Sequence, residues 1–267
     1  MSRYIVKPGG KVRLKDQDPE DKSDWKGERE EAELELIKLR QKLSGLQEIL
    51  YAQHKERILI VLQAMDTGGK DGTIRHVFEG VNPQGVRIAN FKAPSAVELD
   101  HDYLWRIHPL VPGKGEIVIF NRSHYEDVIV VRVHELVPEK KWRKRYDQIA
   151  AFESMLAEEG VTILKFYLHI DKDEQKERLE ARLAEPSKHW KFNPRDLDER
   201  KLWPDYMEAY EEALSKTSTR EAPWYIIPAN RKWYRNLVIT RILVDTLESL
   251  DMKYPAPPAD LDKIVVD

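Results

Sequence analysis

The sequence predicts an α/β domain: a mainly parallel five-stranded sheet, helices on both of its faces, and a helical excursion before its last strand. Three observations predict it. Five short apolar runs punctuate the chain, helical periodicity fills most of the intervals between them, and a glycine-rich turn links the first run to a helix. Strands alternating with helices build βαβ units, and sheets of this kind bind ligands at the carboxyl ends of their strands.

Residues 1–27 are polar and carry Pro8-Gly9-Gly10 and Asp18-Pro19, so they read as an extended arm lying over one domain, residues 28–267. From Glu28 to Lys55 the chain is helical, with Leu36, Leu39, Leu43, Leu46 and Leu50 repeating at steps of three and four. The stripe spans too few heptads for an intermolecular coiled coil, which favours a helix packed on its own domain. Arg57 to Gln63 is a strand rich in β-branched residues, and the further strands are Val86 to Ala89, Ile117 to Phe120, Val161 to Ile170 and Trp224 to Ile227. Between the last two, Asp173 to Lys216 is charged and helical, broken at Glu185-Pro186 and Phe192-Asn193-Pro194. Both a mobile lid and a solvated helical hairpin fit that stretch. An amphipathic helix from Trp233 to Leu250 and a Pro-rich tail, Pro255 to Pro258, end the chain.

Composition narrows the function. With 41% hydrophobic and 34% charged residues in 267, the chain can fill a core under an unusually charged surface. It contains no run of 18 apolar residues and begins without a secretory h-region, so no membrane association is expected. The absence of cysteine excludes disulfides, thiolate nucleophiles and cysteine metal sites, and fits a cytoplasmic address. A net charge of −3 argues against a nucleic-acid binder, so any anion site must be local. The eight histidines show no zinc spacing and read as structural.

The chemistry concentrates in Gln63-Ala64-Met65-Asp66-Thr67-Gly68-Gly69-Lys70-Asp71-Gly72-Thr73. A phosphate-binding loop needs glycines that let backbone N–H groups converge, a lysine that reaches the outer phosphates, and a helix N-terminus that favours negative charge. All three follow a strand here, although Ala64 replaces the first glycine of the usual pattern and Asp71 the hydroxyl that normally meets magnesium. Gly68, Gly69, Lys70, Asp71, Gly72 and Thr73 are thus the candidate phosphate contacts. Asp66, facing bound phosphates, is a candidate ligand for an intervening divalent cation, or else a turn residue bonding its own backbone. A second acid is expected beyond a neighbouring strand. The run Phe120-Asn121-Arg122-Ser123-His124-Tyr125-Glu126-Asp127 supplies Glu126 and Asp127, of which Asp127 is the choice, with an N-cap role as its alternative.

These two segments resemble the phosphate-site motifs of the type-2 polyphosphate kinases. Lys188-His189-Trp190-Lys191-Phe192 and Ala222-Pro223-Trp224-Tyr225-Ile226-Ile227-Pro228-Ala229-Asn230 are similar to that family too, so the likeness runs from about Leu36 to Leu250. It implies a three-layer α/β/α fold of the P-loop kinase type with a helical lid at about 173–216. It further implies that Asp66 and Lys70 hold phosphates and metal in the first motif, and Arg122 and Asp127 in the second, beside Asn121; some relatives carry an acid at that position, which leaves open whether the second metal-site carboxylate is Asp127 alone or shared with Glu126. Arg178 and Arg182 would face the site with Lys188 and Lys191; on spacing alone, the two arginines pair with Glu174 and Glu177 on a solvated helix. The implied activity is transfer of a phosphoryl group from inorganic polyphosphate to AMP or ADP with Mg2+, in a homo-oligomer, a dimer or a tetramer. The pattern is most similar to the subgroup that accepts both nucleotides. An ATP-dependent nucleoside monophosphate kinase and a non-catalytic nucleotide sensor are the competing readings.

Overall fold

The computed structural model describes residues 2–259, 264 and 266, so the ends of both spans, Met1 and part of the tail up to residue 267, lie outside the described residues. The strands are β1 (Arg57–Gln63), β2 (Val86–Asn90), β3 (Ile117–Asn121), β4 (Val161–His169) and β5 (Trp224–Pro228). All four pairings are parallel, in the order β2-β3-β1-β4-β5. The helices are α1 (Arg29–Gln53), α2 (Lys70–Val77), α3 (Ala96–Leu99), α4 (Val130–Val133), α5 (Glu139–Glu158), α6 (Lys172–Ala184), α7 (Arg195–Lys201), α8 (Trp203–Thr217) and α9 (Lys232–Ser249).

Six of the seven residues of β1 are buried, because both faces of the sheet are covered. One face carries Leu59, Val61, Val118 and Phe120 against Ile149 of α5 and Leu214 of α8. The other carries Ile58, Ile60 and Leu62 against Leu43 and Leu50 of α1 and Ile239 and Leu243 of α9. The leucine stripe of α1 is thereby spent inside its own domain. A reciprocal capping box between Glu28 and Glu31 starts that helix, and His54, at φ 53°, ends it in a left-handed cap.

The arm meets the body at the β5 edge. Val6 N donates to Trp224 O across 2.8 Å beside an antiparallel bridge between Ile5 and Tyr225. A strand edge that would otherwise offer unpaired backbone groups is thus covered. Among the described residues, no helix is long and apolar enough to cross a membrane.

Candidate active site

Successive strands lie on opposite sides of β1, so the chain reverses direction of winding there, which is where such sheets open a ligand crevice. Leu62 of β1 is in register with Asn121 of β3, so the segments leaving these strands emerge side by side. The first wraps into the phosphate loop. Thr67 and Gly69 take positive φ, 63° and 99°, and Lys70 opens α2. A Cβ on Gly68 would sit 2.5 Å from the Ala64 side chain and 2.8 Å from Met65 O, so this position has room only for hydrogen. Lys70 Nζ donates to Ala64 O at 2.9 Å, closing the loop on itself. Burial, followed by the nearby Arg122 guanidinium, lowers the Lys70 pKa, while Asp66, Glu126 and Asp71 oppose the shift. Asn121 donates to Asp71 at 2.7 Å and to Asn90 at 2.9 Å, which ties the loop helix to β3 and β2. Thr73 points inward, its hydroxyl donating to Gly69 O at 3.0 Å.

The second segment turns sharply, with Arg122 in the left-handed region at φ 62°. Strain of this kind persists where the surroundings over-determine it. Ser123, His124 and Tyr125 are driven into the core, which leaves Arg122 and Glu126 on the side of the phosphate loop. Arg122 Nη2 donates to Asp66 Oδ1 at 2.9 Å, and its Nη1 lies 3.8 Å from Glu126 Oε2. Burial raises the pKa of the Glu126 carboxyl against the pull of Arg122 and Lys70.

Asp127 does not join this group. Its carboxylate accepts from Arg145 Nη1 at 3.1 Å and lies 3.8 Å from Arg106 Nη2, on the far side of the turn. The structure thus turns Glu126, rather than the chosen Asp127, toward Arg122 and the phosphate loop. In a tight turn adjacent residues point in opposite directions, and the two arginines draw Asp127 away. No signal in the motif itself separates the two acids; Arg106 and Arg145 are remote in sequence.

Above both segments stands the helical excursion: α6, a 3₁₀ turn at Pro186–Lys191, α7 and α8. Arg178 is buried, donating to Glu174 at 2.5 Å, to Thr67 O at 3.0 Å and to Ala229 O at 2.6 Å. It both pairs on its own helix and holds the loop. Arg182 donates to Lys191 O at 3.1 Å and to Asp196 at 3.3 Å, while Lys188 pairs with Glu185. Lys191 Nζ lies 4.9 Å from the centre of the Trp190 ring. Asp66, Lys70, Arg122, Arg178, Arg182, Lys188 and Lys191 all line a single cleft of about 1080 Å3.

Sequence reasoning missed Arg235. This side chain of α9 is 2% exposed and, among the described residues, bonds only Asn236, at 2.8 and 3.1 Å. A Cβ on Gly69 would come 2.1 Å from its Nη1, so glycine is required there for the guanidinium to reach the loop. Burial, with Arg178 nearby, pushes its pKa down to about 9, which leaves it charged at neutral pH. No carboxylate pairs with it among the described residues. A cation inside the buried Tyr234 to Val238 stretch was the available signal. Lys232 extends the same cationic wall.

Two carboxylates, Asp66 and Glu126, flank Arg122 at the mouth of the loop. Among the described residues no group of three or more His, Asp or Glu is arranged as a protein cage for a metal. Mg2+ characteristically takes one or two carboxylates and completes its shell with water and phosphate oxygens, so this donor set fits it.

A strand, a glycine-rich loop closed by its own lysine, a helix N-terminus and a cation-lined helical excursion along one cleft define a P-loop phosphate-binding protein of the phosphotransferase class. Residues 26–255 match the model of the family described as polyphosphate kinase 2. The chain is 57% identical, over all 267 residues of both chains, to the AMP/ADP-polyphosphate phosphotransferase of Meiothermus ruber. It is 48% identical over 227 residues, 80% of this chain and 78% of the relative, to the ADP-polyphosphate phosphotransferase of Rhodopseudomonas palustris. The crystal structure of polyphosphate kinase 2 from Arthrobacter aurescens TC1 superposes with a TM-score of 0.94 at 43% identity, covering 98% of this chain and 93% of that one. The chain belongs to the polyphosphate kinase 2 family.

Proposed function

We propose that the protein transfers the terminal phosphoryl group of inorganic polyphosphate to AMP and ADP, reversibly, with Mg2+. One observation carries the choice of donor. Beyond the phosphate loop the cleft continues between α1, α2 and α9, lined by Arg40, Arg75, Lys232 and Arg235. Of these, only Arg40 has an acidic partner among the described residues, Glu79. A nucleotide ends at its phosphates, whereas a polyphosphate chain extends further and needs such a row of cations, three of the four here without an acidic partner among the described residues. The name of the Meiothermus ruber relative points the same way.

In this reading Lys70, Arg122 and the loop N–H groups hold the transferring group, and Arg178, Arg182, Lys188 and Lys191 close over it. Asp66 and Glu126 would hold the magnesium, which would supply positive charge to the reacting phosphates. An acceptor phosphate oxygen attacks the terminal phosphorus in line. The bond to the rest of the polyphosphate breaks, and its electron pair leaves on the shortened chain. The transition state is loose, so positioned positive charge supplies most of the catalysis and no covalent nucleophile is needed. The protein acts in the cytoplasm as a dimer or tetramer, independent of nucleic acid.

The test is a coupled assay of ADP and ATP formation from AMP or ADP with long-chain polyphosphate and Mg2+, run beside Lys70→Ala and Glu126→Gln. Turnover that both variants lose supports the reading. Turnover with ATP as donor but none with polyphosphate replaces it with a nucleoside monophosphate kinase, and no turnover with either donor leaves a nucleotide sensor. Light scattering of the eluting protein checks the assembly.

A further inference from the structure

Behind the turn that carries Arg122 and Glu126 lies a charged cluster in the core that the chemistry above does not use. Lys165, in the middle of β4, and Glu153, on α5, are both fully buried. The ammonium has three N–H bonds and three acceptors: Glu153 Oε2 at 2.5 Å, Thr217 O at 2.7 Å and the Tyr125 hydroxyl at 2.9 Å. These three belong to three different elements: α5, the last residue of α8, and the turn after β3. Glu153 Oε1 accepts from the Tyr125 hydroxyl at 2.9 Å and lies 3.1 Å from His124 Nε2. Trp224 Nε1 donates to Thr217 Oγ1 at 2.9 Å. The centres of the Tyr125 and Trp224 rings lie 5.4 and 5.2 Å from the ammonium.

Removing two charges from water costs several kcal/mol per ion, and well-packed apolar side chains generally serve stability as well or better. A buried tripod whose donors are all satisfied has a different property: it fixes direction. Here it fixes two parts of the site. Tyr125 immediately precedes Glu126 and lies three residues from the strained Arg122. Thr217 ends α8, the helix by which the lid returns to the sheet.

We infer that Lys165 and Glu153 are positioning residues that lock the base of the lid to the turn presenting Arg122 and Glu126, so that the closing cations meet a correctly placed floor. The inference rests on the phosphotransfer reading of that site. Misplacement of reacting groups by about 1 Å costs on the order of 100-fold in rate, so loss of the tripod acts on turnover more than on binding.

Three full-length variants test it. Glu153→Leu with Lys165→Met keeps the volume apolar and frees His124 and Tyr125. Glu153→Gln with Lys165→Met removes both charges but leaves an amide to bond them. Tyr125→Phe keeps the packing and removes the hydroxyl from the hub. The expected result for Leu/Met is a fall of about tenfold or more in kcat with KM for nucleotide and polyphosphate within about threefold, and recovery of most of that loss by Gln/Met. Hydrogen exchange is expected to quicken in residues 122–128 and in the last turn of α8, with the thermal midpoint held. Wild-type kcat in Leu/Met and in Tyr125→Phe overturns the inference. If Leu/Met does not fold, Tyr125→Phe decides alone: a several-fold fall in kcat with faster exchange at 122–128 supports the lock, and wild-type values of both overturn it. Should the wild type itself show no turnover, the phosphotransfer reading falls. The lock is then judged on exchange with Mg2+ and ADP added, protection of α8 surviving in wild type and lost in Leu/Met.

Discussion

Arg122 Nη2 and Asp66 Oδ1, 56 residues apart in sequence, meet at 2.9 Å and join the turn after β3 to the phosphate loop after β1. In the proposed mechanism an arriving phosphate would compete with Asp66 for the guanidinium and would free the carboxylate for a cation. Arg122→Lys keeps the charge and loses the planar fork, for which about 100-fold lower turnover is expected. Because both partners are partly exposed, at 41% and 27%, the thermal midpoint should barely move. Steady-state kinetics beside thermal unfolding check this, and normal turnover in the lysine variant would remove Arg122 from the mechanism.

Glu126 and Asp127 should separate in opposite ways. Glu126→Gln is expected to abolish turnover or to raise the Mg2+ concentration it requires, with stability little changed. Asp127→Asn weakens the anchor to Arg145 and Arg106 and should cost about 1–3 kcal/mol of stability, while the Mg2+ requirement stays as in the wild type. Magnesium titrations and denaturant unfolding of both variants distinguish the roles.

Arg235 carries a buried charge that pairs with no carboxylate among the described residues, which costs stability unless an anion binds. Arg235→Met should therefore raise the thermal midpoint of the free protein by about 2–4 °C. The further rise produced by adding tripolyphosphate should shrink in that variant. A scan with and without the anion reads both effects; a lower midpoint with an undiminished tripolyphosphate effect would make Arg235 a structural residue.

Lys232 predicts an alkaline limb. Burial, then Arg178 nearby, lowers its pKa below the ordinary lysine value. As pH rises through that window the folded state sheds a proton that the unfolded chain keeps, so stability rises with pH while the charge facing the cleft is lost. Polyphosphate affinity should fall over the same range, because the anion favours the protonated form. In Lys232→Met the affinity should be weaker at neutral pH and fall less steeply above it. Direct binding at several pH values checks the slope.

Trp190 stands 80% exposed in the turn Pro186–Lys191 of the helical excursion, next to Lys191. If the cations close over bound phosphates, its emission should shift to shorter wavelength when Mg2+, ADP and polyphosphate are added together. Arg178→Ala and Arg182→Ala should blunt that shift, and Trp190→Phe should remove it. An unchanged spectrum in the wild type points to a solvated hairpin.

Much of this fold was legible in the chain. The five apolar runs became the five strands to within one residue at each end; in β1, β3, β4 and β5 burial on both faces demands continuous apolar segments, while β2, at the sheet edge, is mostly unburied. The glycines before Lys70 marked the loop, since few other residues tolerate that backbone and that proximity. Arg178 and Arg182 were ambiguous from spacing alone, since i,i+4 acids are as good a local partner as a distant carbonyl. Arg178 satisfies both demands at once.

The sequence by itself determined the sheet, the phosphate loop and the chemical character of the site, because these follow from local patterns: periodicity, β-branching, glycine, and a lysine at a helix start. Only the tertiary structure decided which acid faces the loop, that Arg235 reaches it from the far end of the chain, and that Lys165 is held by three elements. Each of these depends on the direction of a side chain, set by partners distant in sequence, and no local pattern carries that information.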